Sequence, residues 1–213
     1  SALPVLIFIN PGSRLPVAFD DMTEHAKQIL VDAFGRVREL VIDLTDGLTD
    51  EIATYRPDPE ANSIAWLLWH LSRIQDDHVA DLAQVEQVWP QWRERFGLPF
   101  GNWATGYGQG PKDVAAVRVS GDLLSEYHQA VHDLTLRYLD GITAEELDRI
   151  VDTRWDPPVT ASVALVPGER DPEPAHLAEA THDLDGEAVL ALVLVDDRRD
   201  LVLHERPDGR PEK

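Results

Sequence analysis

Hydrophobic residues recur at helical spacing over two long stretches in the first half of the chain. The first stretch covers residues 21–46 and is followed by Gly47, a residue typical of helix C-termini. The second covers residues 62–85, with Asn62 as the predicted N-cap and no proline or glycine inside it. Its apolar positions are Ile64, Leu67, Leu68, Leu71, Ile74, Leu82 and Val85. This spacing predicts two helices, of which the second belongs to the core.

The hydrophobic pattern changes after these two helices. Residues 89–120 are rich in Trp, Gly and Pro and predict one long loop, which its aromatic residues indicate is packed rather than disordered. Helical spacing returns over residues 121–139. Thr143 and Glu146 then have the spacing of a capping box, which predicts a further short helix. Residues 21–166 are therefore predicted to form a mainly α domain.

The two ends of the chain differ from this helical domain. Residues 1–20 contain a strand-like run and a turn, and they are interpreted as an N-terminal extension or a vector-derived segment. Residues 167–213 form an atypical C-terminal segment without any aromatic residue, in which 187–195 and 200–205 predict a β-hairpin. Two origins fit this segment: a genuine appendage, or a change of reading frame in a GC-rich gene.

Charge and cysteine content limit the partners. The formal net charge is -20 over 213 residues, so nucleic acid and anionic membranes are not expected to bind. The chain has no cysteine, which excludes disulfides, thiolate ligands and a cysteine nucleophile. The apolar run near the N-terminus is too short to span a membrane and lacks a basic flank. We therefore expect a soluble, cytoplasmic protein.

Ionisable side chains in the second helix form the first candidate site. His70, Asp77 and Asp81 fall within about 40° of one another beside the apolar stripe. Buried helices carry such groups mainly when the groups are paired or bind a metal. His70 could bind a divalent metal together with ligands from facing helices. It could also be a core histidine bonded to Asp77, and spacing alone favours this second interpretation.

Two further groups of possible ligands follow. His128 and His132 have the i, i+4 spacing of a ligand pair, but both point roughly 100–140° away from the apolar stripe of their helix. They are predicted to face solvent and are set aside. The third group lies in the C-terminal segment, where the pattern favours an acidic, solvated surface. Its members are Asp171, Glu173, His176, Glu179 and His182.

Several segments taken together resemble the DinB-like superfamily, specifically its DUF664 branch, which is related to mycothiol-dependent S-transferases. They are RPDPEANSIAWLLWHLSRIQDDHVADL, EQVWPQW with RFGLPF, GYGQGPKDVAAVRVS, YHQAVHDLTLRYLDG and LDRIVDTRWDPPVT. The resemblance covers about residues 22–166. It implies a four-helix bundle, often a homodimer, with zinc or nickel bound between the helices on histidines and sometimes a carboxylate.

The resemblance also implies a ligand set. The family's helix-two histidine falls on His70, in WLLWHL, which makes a metal role the expectation for this residue. The other family ligands lie on the fourth helix, where prolines interrupt this chain. The nearest match there is His176, with Asp171 five residues before it. If that helix is lost, the metal has a single secure ligand, too few for a tight site.

The activity implied by the resemblance is a metal-dependent thiol S-transfer to an electrophilic small molecule. A bound metal would hold a low-molecular-weight thiol of the mycothiol type as a thiolate. Asp77 is expected to orient His70, and Trp103 and Tyr107 to wall the co-substrate pocket, with plain loop packing as the alternative for these aromatics. The alternative function is a non-catalytic metal-binding or stress-related helical bundle with a degenerate site.

Overall fold

Three long helices dominate the structure, a computed structural model that describes residues 18–166. They are α1 (Ala18–Thr45), α3 (Ile64–Ala83) and α6 (Gly121–Asp140). The shorter elements are α2 (Asp50–Ala53), α4 (Trp89–Phe96), α5 (Pro111–Ala116), α7 (Ala144–Leu147), β1 (Ile150–Asp152), β2 (Val159–Thr160) and α8 (Ala161–Ala164). The predicted mainly α fold is confirmed.

Helix α6 is packed on two sides, by α1 and by α3. The core lies where the three helices meet, and Val41, Trp69, Tyr127 and Val131 are completely buried in it. Because α6 has a long helix on each side, a wide arc of its surface is removed from water. This arrangement decides the environment of several polar side chains described below.

The start of α3 differs by one residue from the sequence prediction. Ser63, not Asn62, is the N-cap: its backbone is extended and its hydroxyl accepts a hydrogen bond from the Trp66 N–H at 3.2 Å. Ser120 caps α6 in the same way, through the Leu123 N–H. Local side-chain hydrogen bonds therefore set where both core helices begin.

The single long loop predicted for residues 89–120 is wrong, because two short helices interrupt it. Helix α4 has Pro90 in its first turn, where no N–H is required, and ends at Gly97 with φ of 59°. Helix α5 begins at Pro111. The predicted packing is confirmed by Trp89 and Phe96, which are buried. The remaining connection, residues 97–110, is called the 97–110 loop.

The chain after α6 follows one prediction and leaves others untested. Thr143 caps α7 by accepting from the Glu146 N–H at 3.2 Å, as its spacing predicts. Strands β1 and β2 form a small antiparallel sheet. The hairpin predicted over residues 187–205 lies outside the described residues. Within residues 18–166, no helix is long and apolar enough to cross a membrane.

Candidate functional site

His70 lies on α3 with its ring buried beneath the 97–110 loop; only 3% of the residue is exposed. Its Nδ1 is 2.6 Å from the backbone oxygen of Thr105. A carbonyl oxygen only accepts, so Nδ1 must carry the hydrogen of this bond. In the neutral ring, Nε2 then holds the lone pair. A histidine in this tautomer can bind a metal through Nε2.

Three neighbours fix the plane of the His70 ring. Trp66, one helical turn earlier, stacks on it with ring centroids 4.6 Å apart and planes 19° apart. Tyr107 meets it edge-on at 5.6 Å. The backbone of Gly106 packs so closely that a Cβ there would lie 2.3 Å from Nδ1 of the imidazole. The ring therefore has little freedom to rotate.

The 97–110 loop is attached to α3 by a row of three side chains, Trp66, His70 and Arg73, which we call the α3 stripe. Trp66 Nε1 donates to Gln109 Oε1 at 2.7 Å, and Arg73 Nε donates to the carbonyl of Ala104 at 3.0 Å. With the bond from His70, the stripe contacts the loop in reverse chain order. Residues 104–109 therefore run antiparallel to α3 and cover the imidazole.

A buried ionic network lies next to this stripe, and sequence reasoning missed it. Arg73 Nη1 and Asp76 Oδ2 are 3.0 Å apart and both side chains are fully buried. Asp76 also accepts from the Tyr127 hydroxyl at 2.8 Å and from the N–H groups of Val88 and Trp89. Burial raises the pKa of Asp76, while these hydrogen bonds and the arginine oppose the rise. The network joins α3 to α6 and to the start of α4.

Asp77 does not lie where the sequence suggested. Its carboxylate accepts a hydrogen bond from Gln87 Nε2, and the Nδ1 partner of His70 is a backbone carbonyl instead. Gln87 in turn accepts from Arg73 Nη2 at 2.8 Å. Asp77 is thus linked to the Arg73 network, and its catalytic role stays a prediction.

The two predicted pocket aromatics differ in their relation to His70. Tyr107 contacts the imidazole and is 46% exposed, so it lies at the edge of the site. Trp103 lies on the same loop and is 65% exposed. Its ring is available to a bound molecule, but the rings that contact His70 within residues 18–166 are those of Trp66 and Tyr107.

The prediction that His128 and His132 face solvent is wrong. His128 is 0% exposed and His132 is 8% exposed, because α1 and α3 together cover more of α6 than its apolar stripe. His128 Nδ1 is 3.2 Å from the Ser72 hydroxyl oxygen. Burial, with smaller contributions from Arg38 and His132, lowers the pKa of His128 to about 3. Burial likewise lowers the pKa of His132.

The described residues supply one of the predicted metal ligands. No group of three or more His, Cys, Asp or Glu side chains comes together within residues 18–166. His70 fits a ligand role by its tautomer and burial. Asp171 and His176, the other predicted ligands, lie outside the described residues, so the complete set stays a prediction.

Fold and site together define a helical bundle whose second long helix carries a buried, carbonyl-anchored histidine. The sequence profile of the DinB superfamily matches residues 33–166, and the chain belongs to this superfamily. The predicted superfamily is confirmed, while its DUF664 branch stays a prediction.

One solved relative supports the same fold. It is described as the crystal structure of the conserved protein of locus from Enterococcus faecalis. The two chains are 32% identical, the match covers 65% of this chain and 84% of that one, and the TM-score is 0.61. A comparison with curated proteins finds no match.

Proposed function

We propose that the chain is a metal-dependent thiol S-transferase with His70 as one of its metal ligands. The observation that supports this best is the hydrogen bond between His70 Nδ1 and the Thr105 carbonyl at 2.6 Å. Metal-ligating histidines commonly donate their second ring N–H to a carbonyl or carboxylate, which fixes the tautomer. The buried ring of His70 has this arrangement, with Trp66 and Gly106 restricting its rotation.

The proposed metal is zinc or nickel, and Asp171 and His176 are the proposed further ligands. When bound, a divalent metal with an open position would lower the pKa of a coordinated thiol, so that a mycothiol-type co-substrate is held as the thiolate nucleophile. Tyr107, at the exposed edge of the imidazole, and Trp103 are proposed to contact the thiol or the electrophile. We also propose that the chain belongs to the DUF664 branch and acts as a homodimer in the cytoplasm.

Metal content is the first test of this proposal. Elemental mass spectrometry would compare untagged wild type, His70→Ala and the control His78→Ala, which removes a half-buried histidine from the same helix. We expect near-stoichiometric zinc or nickel in the wild type and the control, and its loss in His70→Ala. Wild type that stays metal-free after zinc or nickel is added back would contradict the metal-dependent function.

The transfer step needs a separate assay. Metal-loaded wild type would be mixed with a low-molecular-weight thiol and an activated aryl halide, and thioether formation would be followed by absorbance. We expect metal-dependent turnover that His70→Ala loses. Stoichiometric metal without turnover across a panel of thiols and electrophiles would favour the alternative, a non-catalytic metal-binding or stress-related bundle.

A further inference from the structure

We propose that Arg73 is a positioning residue for His70: it holds the Ala104–Thr105 segment so that the Thr105 carbonyl keeps the imidazole in the Nδ1–H tautomer. The functional consequence rests on the proposed metal site, because only then does the lone pair of Nε2 matter for activity. The structural relationship itself does not depend on a metal.

Two consecutive carbonyls of the loop face two side chains of the same helix. The oxygen of Ala104 accepts from Arg73 Nε at 3.0 Å, and the oxygen of Thr105 accepts from His70 Nδ1 at 2.6 Å. The two carbonyls belong to adjacent planar peptide units that are joined at the Cα atom of Thr105. Displacing the Ala104 carbonyl therefore displaces the Cα atom that carries the Thr105 carbonyl, the group that fixes the imidazole.

The guanidinium of Arg73 is held rigidly enough to act as such an anchor. Its Nη1 donates to Asp76 and to the Tyr127 hydroxyl, each at 3.0 Å, and its Nη2 donates to Gln87 at 2.8 Å. Its Cζ also lies 4.9 Å from the ring centroid of Trp89. The planar fork serves all these partners and Ala104 at once, which a lysine ammonium on a flexible stem cannot do.

Losing this anchor should change the chemistry of His70 rather than only its mobility. A displaced Thr105 oxygen weakens the hydrogen bond that favours hydrogen on Nδ1, and the neutral ring then samples the tautomer with hydrogen on Nε2 more often. In that tautomer Nε2 donates and cannot bind a metal. Arg73 would thus act on the site through the backbone, without touching substrate or metal.

The test is the tautomer of His70 in the metal-free full chain. Protein labelled with ¹⁵N-histidine would be compared by long-range ¹H–¹⁵N NMR in the wild type, Arg73→Lys and Arg73→Gln. In both Arg73 variants we expect the His70 signals to shift from the pure Nδ1–H pattern of the wild type toward a mixture of both tautomers. A folded Arg73 variant that keeps the pure Nδ1–H pattern would overturn the proposal.

Arg149→Lys is the matched control. Arg149 also combines an ion pair, with Glu146, and a hydrogen bond to a backbone carbonyl, that of Leu82 at 2.8 Å. In these bonds Arg149 contacts neither His70 nor the 97–110 loop, so Arg149→Lys should leave the tautomer pattern of His70 unchanged. If it shifts the pattern as much as Arg73→Lys does, the positioning role is refuted in favour of general loosening.

Should both Arg73 variants fail to fold, Gln87→Met decides the question. Gln87 is half-buried and accepts from Arg73 Nη2, so its replacement loosens the guanidinium while sparing the bond to Ala104. We expect a smaller tautomer shift in the same direction. An unchanged pattern in folded Gln87→Met would overturn the proposal.

Metal titration separates this inference from the proposed function. For zinc or nickel added to the apoprotein, we expect Arg73→Lys to weaken Kd about 10- to 100-fold, the usual effect of losing an outer partner of a ligand. A tautomer shift in a protein that binds no metal would support the Arg73 role and contradict the proposed function. Equal metal affinity with an unchanged tautomer would contradict the Arg73 role and leave the function standing.

Discussion

Gly106 and His70 are packed so closely that a Cβ atom on the glycine would lie 2.3 Å from Nδ1 of the histidine. Gly106 also has φ of +121°, a conformation that side chains disfavour. The ring cannot retreat, because Trp66 stacks on it and Thr105 holds its Nδ1. The loop therefore closes over the imidazole only with glycine at this position.

Gly106→Ala should disrupt the His70 site, because either the loop or the ring must move to relieve the clash. We expect loss of the Nδ1–H tautomer pattern of His70 in the NMR experiment and an unfolding free energy lowered by about 2 kcal/mol or more, since strained non-glycine backbone alone costs about 1–3 kcal/mol. Denaturant unfolding measures the second quantity.

Gly108→Ala is the control for this substitution. Gly108 also has positive φ, +68°, but nothing lies within 4 Å of its added Cβ. Gly108→Ala should lower the unfolding free energy through backbone strain alone, and His70 should keep its tautomer pattern. Equal effects of both alanines on the His70 signals would show that the close contact at Gly106 is not what matters.

Asp76→Asn should strongly destabilise the protein. The change leaves the guanidinium of Arg73 buried without its counter-charge and weakens the bonds from Val88 and Trp89. Breaking one partner of a buried pair costs about 3–5 kcal/mol. Urea titration at neutral pH checks the expectation. Glu126→Gln, which removes the exposed partner of Arg95, should cost less than about 1 kcal/mol.

His128 should make the protein sensitive to acid. Folding lowers the pKa of His128 from 6.5 to about 3, so between these pH values the unfolded chain binds a proton that the folded protein does not bind. The contribution of His128 to stability is therefore fully present above pH 6.5 and is lost as the pH falls from there toward 3. At pH 5 the loss from this group is about 2 kcal/mol.

His128→Gln should remove that part of the acid sensitivity. Comparing urea midpoints at pH 7.5 and pH 5 in the variant and the wild type isolates the contribution of His128 from the other titrating groups. His78→Gln serves as the control for losing a histidine elsewhere. A variant that loses as much stability in acid as the wild type would contradict a neutral, buried His128.

Trp103→Ala tests the proposed co-substrate contact. Because the side chain is 65% exposed, its removal should change the unfolding free energy by no more than about 0.5 kcal/mol. In the thiol-transfer assay KM should rise severalfold. Trp155→Ala, which removes an exposed tryptophan outside the 97–110 loop, should change neither quantity. An unchanged KM in Trp103→Ala would contradict the co-substrate contact and favour a role of Trp103 in loop packing alone.

The sequence predicted the framework well where neighbours along the chain decide the structure. The three long helices and the short helix capped by Thr143 follow from 3.6-residue periodicity and capping residues. The helix carrying His70 was found in the same way. The two short helices in the region 89–120 were missed, because aromatic and glycine-rich composition concealed the proline starts of α4 and α5.

The site was less predictable, because its contacts join residues far apart in the chain. Arg73 and Asp76 did carry a signal, an oppositely charged i, i+3 pair inside an apolar helix. Nothing local to His70, however, indicates that its partner is the carbonyl of Thr105, 35 residues later. A backbone oxygen has no residue type by which sequence can reveal it.

By itself, then, the sequence determined the mainly α fold, the superfamily and the helix position of His70, because periodicity, capping and motif residues act over a few neighbouring positions. Tertiary structure alone decided what surrounds each polar side chain. Packing of α1 and α3 on both sides of α6 buried His128 against the prediction. Closure of the 97–110 loop gave His70 a carbonyl partner in place of Asp77, since burial and long-range hydrogen bonds depend on how distant segments meet.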